Sequence, residues 1–427
     1  MRKQSMGEIL RTLPVIDSHE HFDPSMEREL KGDMISEYVG QYLGHDLKSA
    51  GMDADTYDTL SDLDRPLEDR FDVLQPWLAY VSCTGYGRCM KKSLFALSGE
   101  SGLTTEKLVI AEAAYREQIK GKALSIFIKE KTPIKACIVD WMPLEWKFQN
   151  PFYLQAYDPL FLLIPENEKR FTRLEQFTGK RIRDFKGYLD ACKEAIRIKV
   201  QNQGVKVLKL PIAYHRELAF PVTAYHEAEQ EYNRCRENIL RFRGGLSAGL
   251  GFEQSKAFQN YVLHEILKVA EEYELTMQFH TGYLAGNFGN LPDSNPTGLI
   301  PLFKQYPGVK FDLFHMSYPY YKEAGAIAKM YPNVYLNMCW GHILSPYAAV
   351  DALTEWLHLV PYNKIIGFGA DTNIALSILG HLEITYDNIE KCLLGLINDK
   401  ICSEVEAIEI AKALLYDNAK KLYQIDG

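Results

Sequence analysis

Long apolar runs are missing from this sequence: none approaches the ~18 uninterrupted hydrophobic residues that a membrane-crossing helix requires. Paired cysteines are missing too. The eight that occur (Cys83, Cys89, Cys137, Cys192, Cys235, Cys339, Cys392 and Cys402) are scattered without a CxxC spacing, which argues against a disulfide framework or a zinc knuckle and for buried free thiols. Positive charge is not in excess. The 48 Lys and Arg stand against 56 Asp and Glu, a formal balance of −8, which counts against nucleic acid or an anionic membrane as the main partner. No apolar stretch follows the charged start Met1-Arg2-Lys3-Gln4-Ser5-Met6-Gly7-Glu8, so no secretory leader is expected and the expected compartment is cytoplasmic. Low-complexity tracts, linkers and short-period repeats are also lacking. What is present has globular proportions: 427 residues, 47% hydrophobic and 24% charged.

Eight β-rich runs recur along the chain. They are Leu13–Ser18, Ile134–Asp140, a run near Leu160–Ile164, Val205–Leu210 (stopped by Pro211), Leu275–Phe279, Val309–Phe314, Val334–Asn337 and Ile365–Ala370. Helical patterning fills the later gaps. From Ser255 to Tyr273, residues Phe258, Val262, Ile266 and Val269 recur at spacings of three or four, and Glu323–Met330 and Ala348–Leu359 behave alike. Apolar strands alternating with helices imply a parallel sheet covered on its outer side, and eight such units favour a closed (β/α)8 TIM barrel over an open sheet. The gap from Phe22 to Thr132 exceeds what one crossover needs. It reads as a helical insertion (22–132) within a single domain spanning 1–427, with glycine breaks at Gly51, Gly85-Tyr86-Gly87 and Gly99–Gly102.

The first run leads into His19-Glu20-His21. If the strand continues that far, positions i and i+2 share a face, and two imidazoles converge as metal ligands. Alone the pair is weak, since about 0.3 such pairs arise by chance at this histidine content. Other strand ends add weight: His280 closes the fifth run, His315 the sixth, Asp371 follows the eighth, and Lys209 ends the fourth. In a barrel, functional side chains gather at those C-terminal ends. Each also has a plain structural explanation, namely a core histidine, a helix cap for Asp371 or a surface lysine for Lys209, but these must then coincide at four strand ends. Softer candidates are Tyr86 and Arg88 in the insertion, Tyr214, His215 and Arg216 after the fourth run, and His342 after the seventh. An arginine there suits a carboxylate. Gly85-x-Gly87 lacks the third glycine and the preceding strand of a dinucleotide loop. His45, His226, His264, His358 and His381 read as structural or solvated.

The run Ile16-Asp17-Ser18-His19-Glu20-His21-Phe22, with His280-Thr281-Gly282, His315 and Gly369-Ala370-Asp371-Thr372, resembles the amidohydrolase superfamily of metal-dependent TIM-barrel enzymes. It is similar to the branch that includes the barrel domain of nodulin-like proteins fused to glutamine synthetase, and in its long insertion to uronate isomerase. The resemblance is densest from His280 to Tyr423 and weak from Phe22 to Thr132.

The resemblance implies that His19, His21 and Asp371 hold the more buried metal and that His280 is a further ligand. His315 becomes a second-metal ligand in binuclear members and otherwise polarises substrate or orients water. Lys209 stands where binuclear members carry a carboxylated lysine; here it is either that carbamate or an ammonium that binds a substrate carboxylate. One or two divalent ions are expected, Zn first, with Mn, Fe or Ni as alternatives. Such an ion lowers the pKa of bound water to about 7, and Asp371 serves as general base and then general acid. The first expectation is thus a hydrolase acting on an amide, lactone or ester of a small polar molecule. The second is a mononuclear isomerase or decarboxylase acting on a uronic or aromatic acid, and the third a non-catalytic barrel kept as an interaction module. Substrate contacts are expected from Tyr86, Arg88 and Tyr214, and a homo-oligomer is compatible with the sequence.

Overall fold

Eight parallel strands follow one another in chain order, each hydrogen-bonded to the next: β1 (Val15–Glu20), β2 (Ile134–Asp140), β3 (Tyr153–Tyr157), β4 (Val207–Leu210), β5 (Thr276–Phe279), β6 (Lys310–Leu313), β7 (Val334–Asn337) and β8 (Ile365–Ile366). The computed structural model describes residues 4–30, 33–140, 144–145, 147–241 and 255–425. Residues 1–3 of the N-terminal reading and 31–32 of the expected insertion lie outside the described residues.

The barrel closes by a different device from its other seams. Regular pairing of β8 ends at Ile366, short of the expected Ala370, because the Gly367 N–H turns aside to the Leu414 carbonyl (2.8 Å). The chain then runs beside β1. Ser18 donates its N–H to the Phe368 carbonyl (3.2 Å), Asp371 to that of His19 (2.9 Å), and His21 to that of Thr372 (3.0 Å). Two carboxylates of β1 add to this seam: Asp17 accepts the Ala370 N–H (3.1 Å) and Glu20 the Thr372 N–H (2.7 Å).

The third strand is not the apolar run near Leu160–Ile164. It is Tyr153–Tyr157, which pairs Ala156 with Val207 and Tyr157 with Leu208. Gln155 and Ala156 dilute its apolar signal. After Pro159, the Asp158 side chain accepts the Leu160 N–H (2.7 Å) and Leu160–Leu163 winds into a short helix.

Inside the barrel, the layer below the strand ends is polar. Asp312 accepts hydrogen bonds from Tyr423 (2.5 Å), Asn337 (3.0 Å) and Gln278 (3.4 Å). Burial pushes the Asp312 carboxyl up to about 6 against these donors.

Among the described residues, seven α-helices lie between β1 and β2. Asp33, Asp53, Thr84 and Thr104 cap four of them, each accepting a first-turn N–H. Their apolar faces join the hydrophobic cluster that also contains the barrel helices. Gly85-Tyr86-Gly87 is not a break: it opens the helix Gly85–Ser98. A β-carbon on Gly85 would sit 1.7 Å from the Ile343 carbonyl, so glycine is needed for close packing there. The same helix crosses Ala375–Asn398, where the Ser93 hydroxyl donates to the Leu376 carbonyl (2.9 Å) and accepts the Gly380 N–H (2.9 Å). No helix among the described residues is long and apolar enough to cross a membrane. All the cysteines except Cys83 and Cys402 are buried, and all are free.

Glu37, in the helix Met34–Val39, accepts the Tyr115 hydroxyl proton (2.6 Å), and burial pushes its carboxyl up to about 8 from an ordinary 4.5. The folded chain keeps that proton between pH 5 and 8 while the unfolded chain loses it, so stability falls as pH rises across this window. Glu37→Gln is expected to flatten that fall by up to about 1.4 kcal/mol per pH unit, measured as the urea midpoint against pH.

Candidate active site

A cavity of about 750 Å³ opens at the C-terminal ends of the strands, where a TIM barrel presents its functional side chains. Its wall includes His21, Lys209, Tyr214, His280 and Asp371. His19 and His315 are fully buried beneath it. His19 is on β1, His21 just beyond it, and the two rings meet edge to face with centroids 4.7 Å apart.

Asp371 joins these groups. Its Oδ1 lies 3.0 Å from His21 Nε2 and 3.6 Å from His19 Nε2, while its Oδ2 lies 3.6 Å from His315 Nδ1. Lys209 Nζ is 3.4 Å from His19 Nε2 and sits over the Phe314 ring. Asp371 and His315 both adopt left-handed backbone (φ 52° and 62°), a costly conformation for residues with side chains and one concentrated at functional sites. The Tyr42 hydroxyl donates to the Asp371 carbonyl and helps hold this turn.

Protonation states suit cation binding. Burial holds His19 and His280 well below the usual histidine range and lowers His315 to about 4, with Lys209 acting in the same direction on all three. Burial is the largest single influence on Asp371 and opposes its ionisation, but the hydrogen bond from His21 together with the nearby His315 and His19 imidazoles outweighs it and keeps the carboxyl well below its ordinary range. Neutral imidazoles beside a carboxylate are the forms that ligate metals.

The hydrogen-bond chain carries a second indication. His280 Nε2 donates to the Tyr283 carbonyl (2.9 Å), so its Nδ1 accepts from His315 Nε2 (2.8 Å). A neutral His315 then turns a bare Nδ1 toward Asp371 Oδ2 and the Cys339 carbonyl (3.2 Å). Those lone pairs face one another with no proton between them, an arrangement a cation resolves. Donors about 2.1 Å from one tetrahedral ion stand roughly 3.4 Å apart, close to the 3.0 and 3.6 Å found around Asp371. Two candidate groups follow, His19/His21/Asp140 and His315/Cys339/Asp371, each with ligand atoms within 4.8 Å of one another. His280, expected as a ligand, is in neither group; its ring nitrogens meet the Tyr283 carbonyl and His315.

Other expected residues fall elsewhere. Tyr86 is buried behind the cavity wall, stacked on Tyr42 (5.2 Å) and parallel to Trp340, and Arg88 on the same helix does not line the cavity. Placing both on a helix that packs inward takes them off the wall. His342 is buried as well, bonded through Nε2 to the Gly367 carbonyl (2.9 Å) and through Nδ1 to Asn388. Of the three residues after β4, Tyr214 lines the cavity, whereas Arg216 turns inward to Gln259 and Asn260 (3.0 Å each).

Several wall residues escaped the sequence reading. Asp140 and Asp158, at the ends of β2 and β3, carry the strand-end signal that was applied to other strands. Tyr42, His45, Arg170 and Arg173 come from helices, where nothing in the local pattern marks them.

Residues 187–425, more than half of the chain, match the family model described as amidohydrolase. The chain belongs to the amidohydrolase family. Over 183 residues this family member is 31% identical to protein fluG of Emericella nidulans, a match covering 40% of the chain and 21% of fluG. Over 281 residues it is 23% identical to uronate isomerase of Nostoc punctiforme, covering 61% of the chain and 56% of that protein. It thus spans about a fifth of the first curated relative and just over half of the second. The crystal structure of uronate isomerase from Thermotoga maritima superposes with a TM-score of 0.80 at 14% identity, covering 98% of this chain and 96% of that one, which shows a shared fold.

Gly282, two residues after His280, has φ 78°, and a β-carbon there would lie 2.4 Å from the Ser317 carbonyl carbon. The neighbouring Thr281 hydroxyl ties this loop to the Phe314 carbonyl (2.7 Å), next to His315. Gly282→Ala is expected to cost about 1–3 kcal/mol in urea denaturation.

Proposed function

We propose that this amidohydrolase-family chain is a metal-dependent hydrolase that cleaves an amide, lactone or ester bond of a small polar molecule. The observation that carries the reading is the Asp371 carboxylate, whose two oxygens face two separate donor groups. His19, His21 and Asp371 would hold one divalent ion, zinc first, and His280, His315 and a carboxylated Lys209 would complete a second site. Bound there, the ions would polarise the substrate carbonyl and acidify a water molecule.

The chain's own residues supply the rest. Asp371, kept ionised by His21 and the neighbouring imidazoles, would accept the proton of the attacking water and pass it to the leaving group, as general base and then general acid. Tyr214 lies over the His280 ring (centroids 4.6 Å apart) and accepts the Ala285 N–H (2.9 Å), so its own O–H is left to donate to substrate. Burial raises the Tyr214 phenol, which keeps that proton in place at neutral pH. Arg170 and Arg173 at the cavity wall suit a carboxylate on the substrate.

A second reading is favoured by the similarity to uronate isomerases, which includes the near-complete superposition on the Thermotoga enzyme. In it the chain is a mononuclear isomerase or decarboxylase of a uronic or aromatic acid, and Lys209 stays an ammonium. One experiment separates the two: metal analysis and intact mass of the purified protein, with a screen of lactones, esters, N-acyl compounds and uronates. Two metal equivalents, a carboxylated Lys209 and hydrolytic turnover are expected. One equivalent, an unmodified Lys209 and uronate interconversion without hydrolysis would replace the first reading by the second. Asp371→Asn is expected to lower kcat by about 10²–10⁴.

A further inference from the structure

Beyond the donors already assigned to the first ion, the end of β2 offers another. The geometry points to Asp140 as a direct ligand of the ion held by His19 and His21. This rests on the reading above that a divalent cation occupies the site.

Asp140 is the last residue of β2, lines the cavity and is 7% exposed. Its Oδ1 is buried and has no hydrogen-bond partner among the described residues. A carboxylate oxygen in that state is costly unless a cation meets it. It also stands with the imidazoles of His19 and His21 in a group whose ligand atoms all lie within 4.8 Å of one another. His280 is placed differently: one ring nitrogen gives its proton to the Tyr283 carbonyl and the other meets His315. With Asp140, two imidazoles and a carboxylate meet at one divalent ion, and the carboxylate offsets part of its charge. Adding a carboxylate to the imidazoles brings manganese into range beside zinc.

The test is a Co²⁺ titration of the metal-depleted full chain, following the tight first equivalent by chelator competition and by its visible absorption bands. Asp140→Asn is expected to weaken that equivalent at least about tenfold and to change the band intensities, because losing even an outer partner of a ligand costs 10–100-fold. Asp140→Glu should restore most of the affinity, and His280→Asn should cost less than Asp140→Asn. Asp158→Asn, which replaces a neighbouring buried carboxyl, should leave the bands unchanged. Wild-type affinity and bands in Asp140→Asn would overturn the assignment, as would equal losses in Asp158→Asn or a larger loss in His280→Asn. In those cases the hydrolase reading would survive, since the wild type still binds metal. A wild-type chain that takes up no Co²⁺ would instead overturn both.

Discussion

A single carboxylate organises this molecule. Asp371 is enclosed by three imidazoles, with one oxygen toward His19 and His21 and the other toward His315. Groups so buried cannot keep charge without partners, and here the partners are one another. Burial keeps His19 and His315 neutral, and the hydrogen bond from His21 together with the neighbouring imidazoles keeps the carboxylate ionised. The result is a concentration of lone pairs at the floor of the cavity, which is the electrostatic condition for holding a divalent cation and for using Asp371 to move a proton.

Keeping that carboxylate in place is the work of the seam between β1 and the segment after β8. Backbone bonds from Ser18, His21 and Asp371 stitch it, and Asp17 and Glu20 reinforce it from the same strand that carries the two histidines. Barrel closure and site assembly are therefore the same event. The left-handed turns at Asp371 and His315 are tolerated because this stitching, together with the Tyr42 hydroxyl, over-determines them. Beneath them, the Asp312, Asn337, Gln278 and Tyr423 cluster forms a hydrogen-bonded floor where barrels more often carry branched aliphatic residues.

The insertion shapes what can enter. Tyr42 and His45, three residues apart on the helix Tyr42–Ser49, form part of the cavity wall, with Tyr86 stacked behind Tyr42. Its helices share the apolar cluster of the barrel helices, so the wall is backed by close packing and is not a loose flap. Arg170 and Arg173 approach the cavity from the helix Glu168–Thr178. The candidate metal donors thus come from strand ends, whereas Tyr42, His45, Arg170 and Arg173 bring helix residues to the cavity wall. The family match over residues 187–425 takes in Lys209, His280, His315 and Asp371 but not His19, His21 or Asp140.

The chain alone determined the barrel and pointed to the strand-end histidines, Lys209 and Asp371 that the structure brings together, because near-continuous apolar runs and the polar residues that end them are local signals. It pointed to Leu160–Leu163 in place of Tyr153–Tyr157 because apolar content, which a buried helix and a buried strand share, does not tell which one pairs with β4. It put Tyr86 and Arg88 at the site because two glycines look like a flexible turn, whereas Gly85 serves a helix crossing at Ile343. Only the tertiary structure decided which donors share space. That the ring nitrogens of His280 are taken, that Asp140 is left bare, and that helices far along the chain line the cavity all follow from distances between segments scores of residues apart. No spacing along a sequence encodes such distances.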